Sequence, residues 1–144
     1  ILSAFYGILK PMDGVTPYRL EMQAKAEIGG TKNLYDYWGD RLYHSVTDDS
    51  RIIINLASKE YSKCIERYLS DKDSYITITF CELSGDKLVT KGTYAKMARG
   101  EMVRYMAENN IENPVEIQKF DRLGYLFRFD LSSDTEYVFE RKTE

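Results

Sequence analysis

"RIIINLASKEYSKCIERYL", residues 51–69, is the stretch whose reading decides the fold. Its opening is a β-branched run, Ile52 to Ile54, of the kind that fills a strand buried on both faces. Ser58 stands where an N-cap belongs, and from Lys59 onward Tyr61 and Ile65 recur at helical spacing. A strand running into a helix through a small-residue turn predicts an α/β chain.

Downstream, "SYITITFCEL" (74–83) alternates as a strand does, "SGDK" (84–87) makes a turn, and "LVTKG" (88–92) returns as a hairpin arm. "TYAKMARGEMVRYMAENNI" (93–111) has helical periodicity, with Gly100 at its middle. A glycine there costs about 1 kcal/mol relative to alanine, so its expected use is close approach by another backbone. "NPVEIQKF" (113–120) reads as a short helix beginning near Pro114. "GYLFRFDL" (124–131) and "EYVFERK" (136–142) read as two strands joined by "SSDT".

Upstream, "ILSAFYGILK" (1–10) places Leu2, Phe5, Tyr6 and Leu9 at helical spacing, and "PMDGVTP" (11–17) then breaks the pattern. "YRLEMQAKAEI" (18–28) suits a strand or an extended arm. "NLYDYWGDRLYHSV" (33–46) predicts a helix through Leu34, Tyr37, Trp38 and Leu42, interrupted by Gly39. No repeat or low-complexity stretch intervenes. The expected fold is mixed α+β, a small mixed sheet flanked by helices in one unit.

With 144 residues, 43% of them hydrophobic and 30% charged, the chain is long enough for a real core and too apolar for disorder. No apolar run is long enough to span a bilayer. Cys64 and Cys81 form no CxxC pair, and His44 is the sole histidine, so no metal or cofactor is expected and a reducing cytoplasm is. The chain opens at Ile1 inside an apolar pattern, as a portion of a longer protein would.

The net charge of −3 argues against a uniformly basic nucleic-acid binder. Locally the balance reverses. Between Lys87 and Arg104 five cations (Lys87, Lys91, Lys96, Arg99 and Arg104) face the single acid Glu101. Lys91 and Lys96 lie at the helix start, where the macrodipole disfavours cations unless an anion docks nearby. Exposed first-turn amides with lysines beside them suit a phosphate. The plainer alternative is a solvated amphipathic helix. In "KPMDGVTPYR", Lys10 and Arg19 flank a turn containing Gly14, which either offers amides to a phosphate or packs as a Pro-fixed loop. Lys63 adds a cation to the following helix. A second set, Glu21, Asp40, Asn55, Ser58 and Glu60, lies beside aromatic and strand residues. Loops after strands are where α/β folds place ligands, so these groups either line an acid–base pocket or form structural ion pairs.

Taken in series, "LSAFYGILKPMDGVTPYRLEM", "LYDYWGD", "INLASKEYSK", "YAKMARGEMVRYMAENNI" and "GYLFRFDLSSDTEYVFER" resemble the successive motifs of the YaaA family of bacterial peroxide-stress proteins. The resemblance runs from residue 2 to about residue 142, and it implies that residues 1–144 are the C-terminal portion of a single YaaA-like domain, incomplete without an N-terminal part. It implies a cytoplasmic protein that binds double-stranded or branched DNA through a helix-hairpin-helix-like element and a basic groove. It also implies protection of DNA by keeping free iron low, with no established reaction. Within the family's "YAKKARG" block, Tyr94 to Gly100 match except that Met97 stands where lysine is common; Lys10 replaces the usual arginine before the proline. The phosphate contacts implied are Lys10, Arg19, Lys63, Lys91, Lys96 and Arg99, with Tyr94 or Trp38 able to stack on bases. The alternative is an enzyme acting on a nucleobase, nucleotide or nucleic acid through Glu21, Asp40, Asn55 and Glu60.

Overall fold

In the computed structural model, which describes residues 1–85 and 87–142, the segment 51–69 forms β3 (Ile52–Asn55) followed by α3 (Lys59–Glu66). Ser58 is the N-cap residue, with extended backbone and no side-chain capping bond. β3 lies at the end of its sheet, and Ile52 is exposed, so the β-branched run builds a half-covered edge strand where two-sided burial was expected.

The chain divides into two compact units, Ile1–Ile53 with Ala57–Ser74, and Ile54–Leu56 with the described part of Tyr75–Glu144. In the first, residues 1–10 form an antiparallel hairpin, β1 (Leu2–Ser3) and β2 (Gly7–Ile8), in place of the expected helix. The reason is local. The Ser3 hydroxyl accepts from the Tyr6 amide (2.9 Å) and the Phe5 amide (3.3 Å), which competes with helical pairing. Gly7 has φ +80°, and its α-carbon lies so near Trp38 that an added Cβ would sit 2.8 Å from the indole. Residues 18–28 have neither helix nor strand beyond an isolated bridge from Ile28 to Thr31. The expected single helix over 33–46 is two, α1 (Leu34–Trp38) and α2 (Arg41–Val46), because Gly39 takes φ 54° between them. Asn33 caps α1 through the Asp36 amide at 2.9 Å. Trp38 donates its indole N–H to the Ala4 carbonyl at 2.9 Å, tying α1 to the hairpin. Met22, Leu34, Leu42, Cys64 and Ile65 are buried there.

The second unit holds a mixed sheet. β4 (Ser74–Ser84) pairs parallel with β7 (Glu136–Arg141) and antiparallel with β5 (Lys87–Val89), and β7 pairs antiparallel with β6 (Tyr125–Phe127). The turn expected at 84–87 joins β4 to β5, its Asp86 lying outside the described residues. α4 (Gly92–Glu108) and a 3-10 helix (Pro114–Lys119) cover one face. The alternation of β4 points Ile76, Ile78 and Phe80 inward, where they meet Ala95, Ala98 and Met102 of α4, Phe120, and Tyr137 and Phe139 of β7. "GYLFRFDL" gives only a three-residue strand before a 3-10 turn at Phe129–Leu131.

Candidate functional site

α4 buries Ala95, Ala98 and Met102, which leaves Lys96, Met97, Gly100 and Val103 on open faces. A Cβ at Gly100 would meet nothing within 4 Å, so among the described residues no other backbone approaches it, contrary to the expectation from sequence. Lys91 is the N-cap residue of α4, and no side chain caps the first turn. Its ammonium is ion-paired with the carboxylate of Glu82. The anion that makes a cation tolerable at this helix start is therefore supplied by the chain itself. Arg99 is half-buried, its Nε is buried without a hydrogen-bond partner, and burial lowers its pKa from the ordinary arginine value. Lys96 is exposed and enters no ion pair among the described residues.

Glu82 is 1% exposed, although it is a carboxylate. It occupies the inward phase of β4 after Ile76, Ile78 and Phe80, and Arg141 occupies the same phase of β7 after Tyr137 and Phe139. Register puts Glu82, Arg141 and Tyr125 side by side across β4, β7 and β6. Directly opposed residues share a sheet face, so the apolar stripes end in one polar row. Arg141 Nη1 lies 3.7 Å from Glu82 Oε2, and its guanidinium stacks 4.0 Å from the centre of the Tyr94 ring. Burial pushes the Tyr125 phenol above its usual pKa, the Arg141 charge opposing. A cavity of about 260 Å³ opens here, lined by Tyr94, Met97, Leu123, Tyr125 and Arg141.

In the first unit Lys10, Arg19 and Lys63 are exposed, and none is in an ion pair among the described residues. The turn after Lys10 is closed by Asp13, whose carboxylate accepts from the Lys10 amide at 2.7 Å. No helix flanks it, so residues 1–20 do not form a helix-hairpin-helix-like element. Glu60 Oε1 accepts from the Gln23 amide (3.2 Å), and the Glu60 carbonyl accepts from the Tyr35 hydroxyl (2.9 Å). Glu60 and Glu21 both lie near Tyr61, whose phenol is raised first by burial and then by these carboxylates. Asp40 is elsewhere, 3.3 Å from His44 Nε2 on α2. Asn55 belongs to the second unit, where it is 8% exposed and donates to Thr77 Oγ1 at 3.3 Å. Of the proposed pocket residues, Glu21, Asp40, Ser58 and Glu60 lie in the first unit, where Glu21 and Glu60 both act on the Tyr61 phenol, and Asn55 lies in the second.

Sequence reasoning missed the Glu82–Arg141 row, although a charge in phase with core residues on two strands is the signal that marks it. It also missed a clamp around Asp73. That carboxylate takes Arg51 Nη2 at 2.7 Å, the Tyr43 hydroxyl at 2.8 Å and the Ser70 amide at 2.7 Å. Arg51 holds φ 58°, a left-handed backbone rare for a side chain of its size. Among the described residues no helix is long and apolar enough to cross a membrane, and no three of His, Cys, Asp and Glu gather as metal ligands.

Against known proteins, the family described as "Peroxide stress protein YaaA" matches residues 1–131. A UPF0246 protein of Agathobacter rectalis is 81% identical over 142 residues, covering 99% of this chain and 57% of that protein. UPF0246 proteins of Lachnoclostridium phytofermentans and Ligilactobacillus salivarius are 57% and 52% identical over 139 residues, covering 96% of this chain and 54% and 56% of theirs. The chain spans about half the length of these relatives.

Proposed function

The chain belongs to the peroxide stress protein YaaA family, and from that membership we propose that it contacts DNA during the peroxide response, gripping phosphates with exposed lysines. On this reading it works in the cytoplasm, protects DNA and helps keep free iron low. One observation carries the DNA contact: a few exposed cations stand outside the ion pairs that hold most of the arginines. Arg51, Arg67, Arg104, Arg122 and Arg128 are engaged with carboxylates at 3.6 Å or less. Lys10, Lys63 and Lys96 are exposed and enter no ion pair among the described residues. Arg19 joins the lysines as an exposed arginine without such a pair. Lysine is a point charge on a flexible stem, suited to backbone phosphates and poor at reading base edges. The phosphate contacts proposed are thus Lys10, Arg19 and Lys63 on the first unit and, separately, Lys96 on the second. Lys91 is engaged with Glu82, and Arg99 is half-buried, so both are less free to meet a phosphate.

The test is fluorescence anisotropy of labelled duplex and four-way-junction DNA between about 50 and 200 mM salt. It is run on this chain, its Lys96→Ala variant and the Agathobacter rectalis relative. The expected result is affinity falling steeply with salt, with the slope shallower by about 1 in Lys96→Ala. Salt-insensitive binding by both proteins, or an unchanged slope in the variant, overturns the assignment.

A further inference from the structure

We propose that the cavity between the first turns of α4 and the end of β7 holds a single nucleotide unit, its base against the exposed ring of Tyr94 and its phosphate on Arg141. The inference deepens the DNA reading above and rests on it for the source of the nucleotide.

Charge is the first argument. One carboxylate, Glu82, faces two cations, Lys91 through Oε1 and Arg141 through Oε2. The cluster therefore has a surplus positive charge in a place where the sheet's apolar stripes lead one to expect a hydrophobic residue. The Arg141 contact to Glu82 is long, at 3.7 Å, and its guanidinium makes no hydrogen bond among the described residues. An arginine held by stacking, with its donor fork unfilled, is preorganised for a planar or tetrahedral oxyanion. The uncapped first turn of α4 adds positive potential beside it.

Shape is the second. Tyr94, whose ring also carries the Arg141 guanidinium, lines the cavity with exposed Met97 and Leu123, and buried Tyr125 forms its floor. At about 260 Å³ it lies just under the usual range for small-molecule sites, which begins at about 300 Å³. Leu123 holds φ 57°, and Gly124 beside it φ 77°, so the wall opposite the helix is a constrained turn. An aromatic ring bearing an anion at its edge is the chemistry of a nucleotide, whether free or extruded from a DNA strand.

Two probes separate those sources. Deoxyadenosine monophosphate is titrated calorimetrically into the chain and into Tyr94→Ala and Arg141→Gln. Duplex DNA with and without a single-base bulge is compared by anisotropy. Tyr94 is 41% exposed, so its truncation preserves the fold even if loss of Arg141 beside buried Glu82 does not. The expected result is one saturable site whose affinity drops roughly tenfold in Tyr94→Ala, the loss of one base stack. A bulge preference that disappears in Tyr94→Ala assigns the nucleotide to DNA; saturable binding without it assigns a free nucleotide. No saturable binding with no bulge preference, or affinity unchanged in both variants, overturns the inference. Salt-sensitive duplex binding in that case leaves the DNA reading standing, whereas nucleotide binding without it removes the DNA reading and keeps the site.

Discussion

Gly100 and Gly7 offer the same substitution in opposite settings, and the structure fixes the sign of each. At Gly100 the backbone is helical, the residue is exposed, and a new Cβ would meet nothing within 4 Å. Alanine there keeps the helix, removes the glycine's extra unfolded-state entropy and creates no clash. Gly100→Ala therefore stabilises the chain by about 1 kcal/mol, which raises the melting temperature by about 4 °C. At Gly7 the backbone is left-handed, at φ +80°, and the Cβ would lie 2.8 Å from two carbons of the Trp38 ring. That ring cannot simply swing away, because its N–H is bonded to the Ala4 carbonyl at 2.9 Å. Backbone strain of about 1–2 kcal/mol and overpacking of about 1–3 kcal/mol place Gly7→Ala about 2–5 kcal/mol in the destabilising direction. Urea unfolding reads both. Far-UV circular dichroism follows α4, and fluorescence of Trp38, the single tryptophan, follows the first unit. A destabilised Gly100→Ala would mean that something does pack against that face of α4. A neutral Gly7→Ala would mean that the hairpin does not sit on Trp38 as described.

Two further outcomes follow from buried ionisable groups. The Asp73 carboxyl is held below its usual pKa, first by the Ser70 amide and then by the Tyr43 and Ser70 hydroxyls and Arg51. Its contribution to stability is complete above the unfolded value near 4 and is lost as pH falls through the lower folded value. Asp73→Asn should flatten the dependence of the urea midpoint on pH below about 4; an unchanged profile there would refute the clamp. The Cys64 thiol, 2% exposed, is pushed up to about 11 by burial, and Cys81 is raised for the same reason. Both thiols are therefore expected to react slowly with peroxide while the chain is folded. Intact mass after mild hydrogen peroxide, and thiol titration at pH 8, should show both cysteines unmodified until denaturant is added; oxidation of either in the native state would contradict their burial.

What the sequence determined by itself is what depends on short-range periodicity. The alternation of "SYITITFCEL", the 3.6-residue recurrence around Ala95, Ala98 and Met102, Pro114 at a first helical turn and the strand-to-helix step through Ser58 each give their element almost to the residue. Physical pattern and local propensity agree there, so distant contacts have little left to decide about the element itself. The hairpin at residues 1–10 shows where that stops. Leu2, Phe5, Tyr6 and Leu9 have helical spacing, yet Ser3 bonding to nearby amides and Trp38 pressing on Gly7 impose a turn. Trp38 is 31 residues farther along the chain, so no local window contains the reason. The candidate site divides in the same way. The exposed lysines are legible because charge and helical phase place them outside. The fate of Lys91 is not, since its partner Glu82 arrives on a neighbouring strand, and Arg141 reaches Tyr94 only through the parallel pairing of β7 with β4. Register across a sheet joins residues separated by more than fifty positions, and only the tertiary structure decides which charges are thereby paired and which stay exposed.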